Sequence, residues 1–362
     1  MNEINHQMIV LAREYKDKTQ KELARDVLVS QATIAKIEGG LISDAHDQLI
    51  ERIAKSLGFP LSFFYQKDER LGFGSSSFYY RKRSKITASD RRRISSIVNL
   101  ARISFSKLLS AVDIEANRDL PFMEIEEYGG SALNIAKAVR SYWSLPDGPI
   151  SNLTALIEST GVIIIPCEFK TRFMDATSLK LTNMPPMIFI NKNIPGDRWR
   201  FTLAHELAHL VMHDTPTETM EDEADAFASE FLVPRDEVES QFSRCANIRL
   251  QDLANLKPFW KVSMGMLLMK ASKLGFIDSN QNRYLWSQMA KMGYKTKEPN
   301  EIEREELNNY PNLFKYYSDV LKYSVEDMAN TVFIPPLEFE SLHGEGLDLP
   351  PPSPPRPSLR VV

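Results

Sequence analysis

Residues 198–213 read Arg-Trp-Arg-Phe-Thr-Leu-Ala-His-Glu-Leu-Ala-His-Leu-Val-Met-His, and this stretch decides how the chain is organised. Leu203, Leu207, Leu210 and Val211 recur at helical spacing, so it reads as one amphipathic helix, with Asp197 after Pro195-Gly196 placed to cap the first turn. His205 and His209 stand four apart and share a face, which lets both imidazoles close on one metal ion. Glu206 projects beside them, near enough to take a proton from an activated water yet free to stay out of the ligand set. Tetrahedral Zn2+ suits such a pair, but two imidazoles hold it weakly, so a third Asp, Glu, His or Cys is required nearby.

The next segment offers acids. Thr219 is placed to cap a helix running to Leu232, with Pro234 marking its end. Ala224, Phe227, Ala228 and Phe231 form its apolar stripe, and Glu223 borders that stripe, which makes Glu223 the expected third ligand. Glu221 and Asp222 are read as lying further around the helix. Asp225 is the alternative acceptor for a hydrogen bond from a ligand imidazole. From Glu206 through Glu239 eleven acids face one base, Arg235, so the region carries a negative field suited to a cation and to basic substrate segments. The competing reading of these acids is a solvated helix face.

With both segments in view, Arg200-Phe-Thr-Leu-Ala-His-Glu-Leu-Ala-His209 and Glu223-Ala-Asp-Ala-Phe-Ala-Ser-Glu-Phe-Leu-Val-Pro234 resemble the signature of the ImmA/IrrE metallopeptidases. The resemblance runs from Gly148-Pro-Ile-Ser-Asn152 to residues beyond Trp260-Lys-Val-Ser-Met-Gly265, roughly residues 150–296. It implies an α+β zincin-like domain in which two histidines and the Glu of the second motif bind zinc. Ala208 and Val233 stand where Gly and Met are common in that family, and neither change removes a ligand. On residue types, Glu206 is the expected general base of a zinc endopeptidase. Residues 177–181 and 187–191 read as short strands, one of whose edges would bind an extended peptide beside the metal. For the oxyanion donor His213, Tyr284 and Tyr294 remain equally open, and His213 also suits a helix end.

The amino terminus carries a second pattern. A helix over residues 4–15 is followed by one starting at Thr19-Gln20, then by Val27-Leu28-Val29 and by a third helix that Ser30 caps and Gly39-Gly40 ends. This is helix-turn-helix spacing, with Leu23, Ala24, Val29, Ile34 and Ile37 set to pack the two helices together. Gln31, Ala32, Thr33 and Lys36 are left facing outward at the start of the recognition helix, and Gln31 can read an adenine by two hydrogen bonds. Residues 5–66, ending in Ile53-Ala-Lys-Ser-Leu-Gly-Phe-Pro-Leu-Ser-Phe-Phe64, resemble the lambda-repressor/Cro-like (XRE) DNA-binding domains. That resemblance implies that Gln20 contacts phosphate and supports Gln31. Nine bases balance nine acids between Met1 and Lys67, whereas Arg81 to Arg83, Lys85 and Arg91 to Arg93 form a basic cluster just beyond, open to phosphate contact or to plain solvation.

The expected architecture is mainly α with a small β-sheet: an all-α helix-turn-helix domain over 1–68, a basic linker and helical connector over 69–149, a metallopeptidase domain over 150–297, a helical extension over 298–334 and a Pro-rich disordered tail over 335–362. A chain of 362 residues has room for this many parts. No apolar run approaches the ~20 residues that span a bilayer and no leader is evident, so a cytoplasmic location is expected. Cys167 and Cys245 form no metal or disulfide motif and suit a reducing compartment. His6, His46 and His343 are read as ordinary polar residues. Expected partners are double-stranded DNA, bound as a homodimer on a pseudo-palindrome, and a protein substrate, an XRE-type repressor whose cleavage relieves repression. The competing class is a DNA-binding repressor whose zinc domain senses metal or a partner without cleaving.

Overall fold

The computed structural model describes residues 3–42, 47–72, 87–112, 116–171, 173–182, 184–245 and 247–347. It is mainly helical with one small sheet, and it divides into two compact units. The first unit comprises Met1–Gly72, Thr87–Asp113 and Asn309–Val362, and the second Phe73–Ile86 and Ile114–Asn308. In sequence, therefore, the second unit is inserted between two parts of the first.

In the first unit, α1 (His6–Tyr15), α2 (Gln20–Asp26), α3 (Gln31–Glu38) and α4 (Asp47–Leu57) enclose Met8, Leu11, Leu23, Ile34, Ile37, Ile50 and Ile53. Thr19 and Glu22 form a reciprocal capping box that starts α2, and Ser30 accepts the Thr33 N–H to start α3. Of the turn residues, Val27 is the one buried while Val29 is half-buried, because Leu28 adopts φ +57° and reverses the chain one residue early. A buried bidentate pair, Arg13 Nε to Glu38 Oε1 at 2.5 Å and Nη2 to Oε2 at 2.9 Å, ties α1 to the end of α3.

The long helix α5 (Ala88–Leu109) starts at a Thr87–Asp90 capping box and packs on α1. Its other cover comes from the far end of the chain. Tyr310 stacks on Phe105 with centroids 5.4 Å apart, and the Tyr317 hydroxyl donates to the Leu108 carbonyl at 2.9 Å. The expected tail from residue 335 begins instead with an ordered helix, Pro336–His343, in which Phe339 and His343 are buried. Proline at the first helical turn costs no hydrogen bond, so Pro335-Pro336 opens this helix rather than breaking it. The prolines from 350 to 357 lie outside the described residues, as does the basic group Arg81 to Lys85.

In the second unit, β1 (Ile163–Cys167), β2 (Ala176–Leu181) and β3 (Met184–Asn191) form a sheet in the order β1-β3-β2. β1 runs parallel to β3 with Ile164 opposite Ile188, and β2 runs antiparallel with Thr177 opposite Phe189, which leaves β2 at an edge. Across β2 and β3 lies α8, Gly196–Met212, which follows α6 (Ala132–Tyr142) and α7 (Leu153–Glu158) in the chain. The helix α9 (Met220–Leu232) packs on both α8 and α6. Trp199, Leu203, Leu207, Phe227, Phe231, Ile188 and Ile190 share the resulting core.

Residues 298–308, the start of the expected helical extension, form no helix and run along this unit as an irregular strap. Glu298 accepts from Lys257 Nζ and from the backbone N–H of Met264 and Gly265, and Glu305 accepts from Leu153 and Thr154 N–H and pairs with Arg200. Each glutamate thus satisfies the open N–H groups that begin a helix, which fixes an irregular segment in place. Asp197 follows the first residue of α8 instead of capping it, and receives Lys257 Nζ at 2.6 Å. Thr219 occupies the N-cap position of α9 but makes no side-chain cap.

Candidate metal centre and nucleic-acid face

The register of α8 brings His205 Nε2 and His209 Nε2 to 3.1 Å from each other. From the first turn of α9, Glu221 Oε2 lies 3.3 Å from His205 Nε2 and Oε1 lies 3.6 Å from His209 Nε2. Donor atoms about 2.0–2.2 Å from a tetrahedral ion stand roughly 3.3–3.6 Å apart, so two imidazole nitrogens at 3.1 Å with a carboxylate facing both converge on a space that suits a zinc-sized ion. Glu221 Oε2 is buried and faces His205 Nε2 at 3.3 Å, so it needs positive charge beside it, from an imidazolium or a bound cation. Among the described residues, His205, His209 and Glu221 are the His/Cys/Asp/Glu group whose donor atoms converge closely enough to hold a metal ion.

Glu223, the expected third ligand, is elsewhere: its Oε2 lies 3.1 Å from His213 Nε2. At about 100° per residue, Glu221 and Asp225 lie on one flank of the Ala224–Phe231 stripe and Glu223 on the other. Glu221, read from the sequence as lying further around the helix, borders the stripe as Glu223 does, and the way α9 packs on α8 turns the first flank to the imidazoles. Asp225 does what its alternative reading anticipated, with Oδ1 2.9 Å from His205 Nδ1.

Charge follows from this geometry. Burial opposes a proton on His205, yet the neighbouring carboxylates of Asp225 and Glu221 outweigh it and hold His205 up at about 10. His209 is pushed well below its ordinary range by burial and by the neighbouring His205 and His213. The cluster therefore concentrates positive charge at one imidazole, the mark of a carboxylate-rich site that favours a cation. Glu206 is raised to about 7 by burial, against the pull of His205 and of hydrogen bonds from the Ser178 hydroxyl and backbone. Ser178 sits on β2, so the edge strand and the candidate base are in direct contact, a link that nothing in the local pattern announces.

A cleft of about 720 Å³ runs between β2 and the histidine face of α8, lined by Ala176 to Thr182, Thr202, His205, Glu206, His209 and Glu221. Of the oxyanion candidates, only His213 lines it, and its ring is engaged by His209 and Glu223. Tyr284 is 60% exposed on the helix Ser279–Lys291, and Tyr294 packs on the core. Neither they nor Cys167 lines the cleft.

On the first unit, Gln31, Ala32 and Lys36 are exposed on α3, while Thr33 is half-buried with Oγ1 2.9 Å from Ser30 Oγ. Gln20, at the start of α2, is half-buried and its amide Nε2 donates to Glu38 Oε2 at 2.7 Å. Arg91 and Arg92 are exposed at the start of α5, and Arg93 pairs with Asp17 at 3.1 Å. Among the described residues no helix is long and apolar enough to cross a membrane.

Residues 158–272 match the family model of the IrrE N-terminal-like domain, and residues 9–64 match that of a helix-turn-helix. No match was found among curated proteins. The first match contains the whole of α8 and α9 with their histidines and acids, and the second contains α2, its turn and α3. An exposed recognition helix on one unit and a convergent His-His-Glu cluster on the other thus coincide with the two matched families, and the chain joins a DNA-binding helix-turn-helix domain to an IrrE N-terminal-like domain of metallopeptidase type.

Proposed function

We propose that this chain is a DNA-binding regulator whose second unit is a zinc endopeptidase of the gluzincin kind, with His205, His209 and Glu221 as ligands and Glu206 as general base. The observation that carries the reading is the convergence of His205, His209 and Glu221, with separations of 3.1, 3.3 and 3.6 Å, in a cleft lined by the edge strand β2. Zinc, when bound, supplies Lewis acidity that activates water at neutral pH and polarises a carbonyl. Glu206, raised to about 7, is matched to accept a proton from the attacking water and deliver it to the leaving amine. A substrate segment in extended form adds to the β2 edge, which directs its backbone along α8 towards Glu206.

The favoured substrate is a flexible segment of a helix-turn-helix repressor, whose cleavage relieves repression in a stress or mobile-element response. The chain itself is a second candidate substrate, cut in its basic stretch Arg81 to Arg93, of which Arg91 to Arg93 lie on α5 and Arg81 to Lys85 lie outside the described residues. DNA is read by Gln31, Ala32, Thr33 and Lys36, in a homodimer on a pseudo-palindrome, since one recognition helix contacts few bases.

The test is to incubate zinc-loaded wild type and Glu206→Gln with co-encoded XRE repressors and map fragments by mass spectrometry. Cleavage by wild type alone, with about one zinc in each protein, is the expected result. Intact repressors in both reactions, combined with zinc-dependent DNA affinity, would overturn the peptidase reading in favour of a metal sensor.

A further inference from the structure

His213 stands where the α8 hydrogen-bond ladder ends, its N–H donating to the His209 carbonyl at 3.2 Å, and its ring turns back one turn along the helix. Its Nδ1 lies 2.9 Å from His209 Nδ1, and its Nε2 lies 3.1 Å from Glu223 Oε2. The side chain is 5% exposed, so neither contact is shared freely with water. We propose that His213 and Glu223 form a positioning relay that holds the His209 ring in the tautomer and orientation required of a metal ligand. The inference rests on the reading of His205, His209 and Glu221 as the metal centre.

Proton bookkeeping along the chain admits one consistent arrangement. A His209 ring that offers the Nε2 lone pair must carry its proton on Nδ1, and that proton needs an acceptor. His213 Nδ1 is the acceptor, so His213 carries its own proton on Nε2 and donates it to the Glu223 carboxylate. A carboxylate at the far end sets the direction of both bonds. His205 has the same support in shorter form, from Asp225 directly. The two ligands are therefore held by different devices, one carboxylate in contact and one carboxylate acting through a second imidazole. Glu223 in this account does its work from outside the ligand set, which explains why an acid borders each side of the α9 stripe.

Outer partners of this kind change metal affinity by roughly 10- to 100-fold. The experiment measures zinc affinity of the full chain by competition with a chromophoric chelator, for wild type, Glu221→Ala, His213→Ala, Glu223→Ala and the His213→Ala/Glu223→Ala pair. The relay predicts about 10- to 100-fold weaker binding for His213→Ala. It also predicts a double variant no weaker than His213→Ala alone, because links in series are not additive. A conservative His213→Gln, which keeps an acceptor and a donor, should recover part of the loss. In zinc-loaded protein the His209 Nδ1 proton should be visible by NMR and slow to exchange in wild type, and lost in His213→Ala, a change that general loosening of the fold would not single out. Glu223 is partly exposed, so Glu223→Ala keeps the test open if His213→Ala does not fold. Zinc loss in Glu221→Ala with wild-type affinity in both relay variants would overturn the relay and leave the metal centre standing. Wild-type affinity in Glu221→Ala with zinc loss in Glu223→Ala would overturn the metal centre and the relay together.

Discussion

His343 makes the stability of the first unit depend on pH in a way that can be calculated. Its ring is fully buried, with Nε2 2.6 Å from Ser104 Oγ and Nδ1 2.7 Å from the Tyr310 hydroxyl, among the rings of Phe314 and Phe339. Burial alone pulls its pKa from 6.5 to about 3, so the folded unit holds a neutral imidazole. The unfolded chain binds a proton below about pH 6.5 and the folded unit does not until about 3, so acid favours unfolding across that window. The contribution is complete above pH 6.5 and is lost as pH falls. Between pH 7 and 5 the loss is about 2 kcal/mol, since each unit of pH below the unfolded pKa is worth about 1.4 kcal/mol. For a unit of this size that corresponds to a fall in Tm on the order of 5 °C. Because Trp143, Trp199, Trp260 and Trp286 all belong to the second unit, tryptophan fluorescence would miss the event. Hydrogen exchange of α5 amides, corrected for the intrinsic pH dependence, reads it directly. His343→Gln retains a donor and an acceptor but cannot titrate, so its stability should vary by about 2 kcal/mol less over the same interval. Equal pH dependence in the two proteins, or a His343 imidazole that titrates near 6.5 in the folded chain, would refute the reasoning.

Three further outcomes follow from particular contacts. A Cβ on Gly196 would meet the Ile302 and Glu303 carbonyl oxygens at 2.3 and 2.5 Å, so Gly196→Ala should displace the strap at a cost of about 1–3 kcal/mol, visible as faster proteolytic nicking of residues 298–308. Lys270 Nζ and Glu230 Oε2 form a pair 2.5 Å apart that is almost wholly buried, so Lys270→Met alone should cost about 3–5 kcal/mol in urea unfolding followed by tryptophan fluorescence, and Lys270→Met/Glu230→Gln considerably less. Gln31→Ala should weaken binding to a selected duplex by about 1–3 kcal/mol while leaving the salt-dependent nonspecific affinity unchanged, and an unaltered specific affinity would remove Gln31 from the reading set.

Both functional segments are legible in the amino-acid sequence because their information is local. The helical spacing of Leu203, Leu207 and Leu210 fixes which face His205 and His209 share, and Ser30 with Gly39-Gly40 brackets the recognition helix within ten residues. Such signals depend on the period of one helix and on the chemistry of its ends. The choice between Glu221 and Glu223 is not of this kind. Both border the same stripe, and only the packing of α9 on α8 selects one flank for the imidazoles and the other for His213.

The remaining decisions lie at greater sequence distance. Ser178 meets Glu206 because antiparallel pairing places β2 at the edge nearest α8, and no spacing within either segment encodes that meeting. His343, read as an ordinary polar residue, is buried against Ser104 across 239 positions, and Glu305 begins the helix at Leu153 across 152. Helix periods and caps make legible the two matched segments, two candidate ligands and a candidate base, since each rests on residues within a turn or two of one another. The third candidate ligand, the strap and the closure of the first unit by its distant carboxyl segment are decided by tertiary packing. They are pairings between segments, where burial and hydrogen bonding choose among partners that local pattern leaves equivalent.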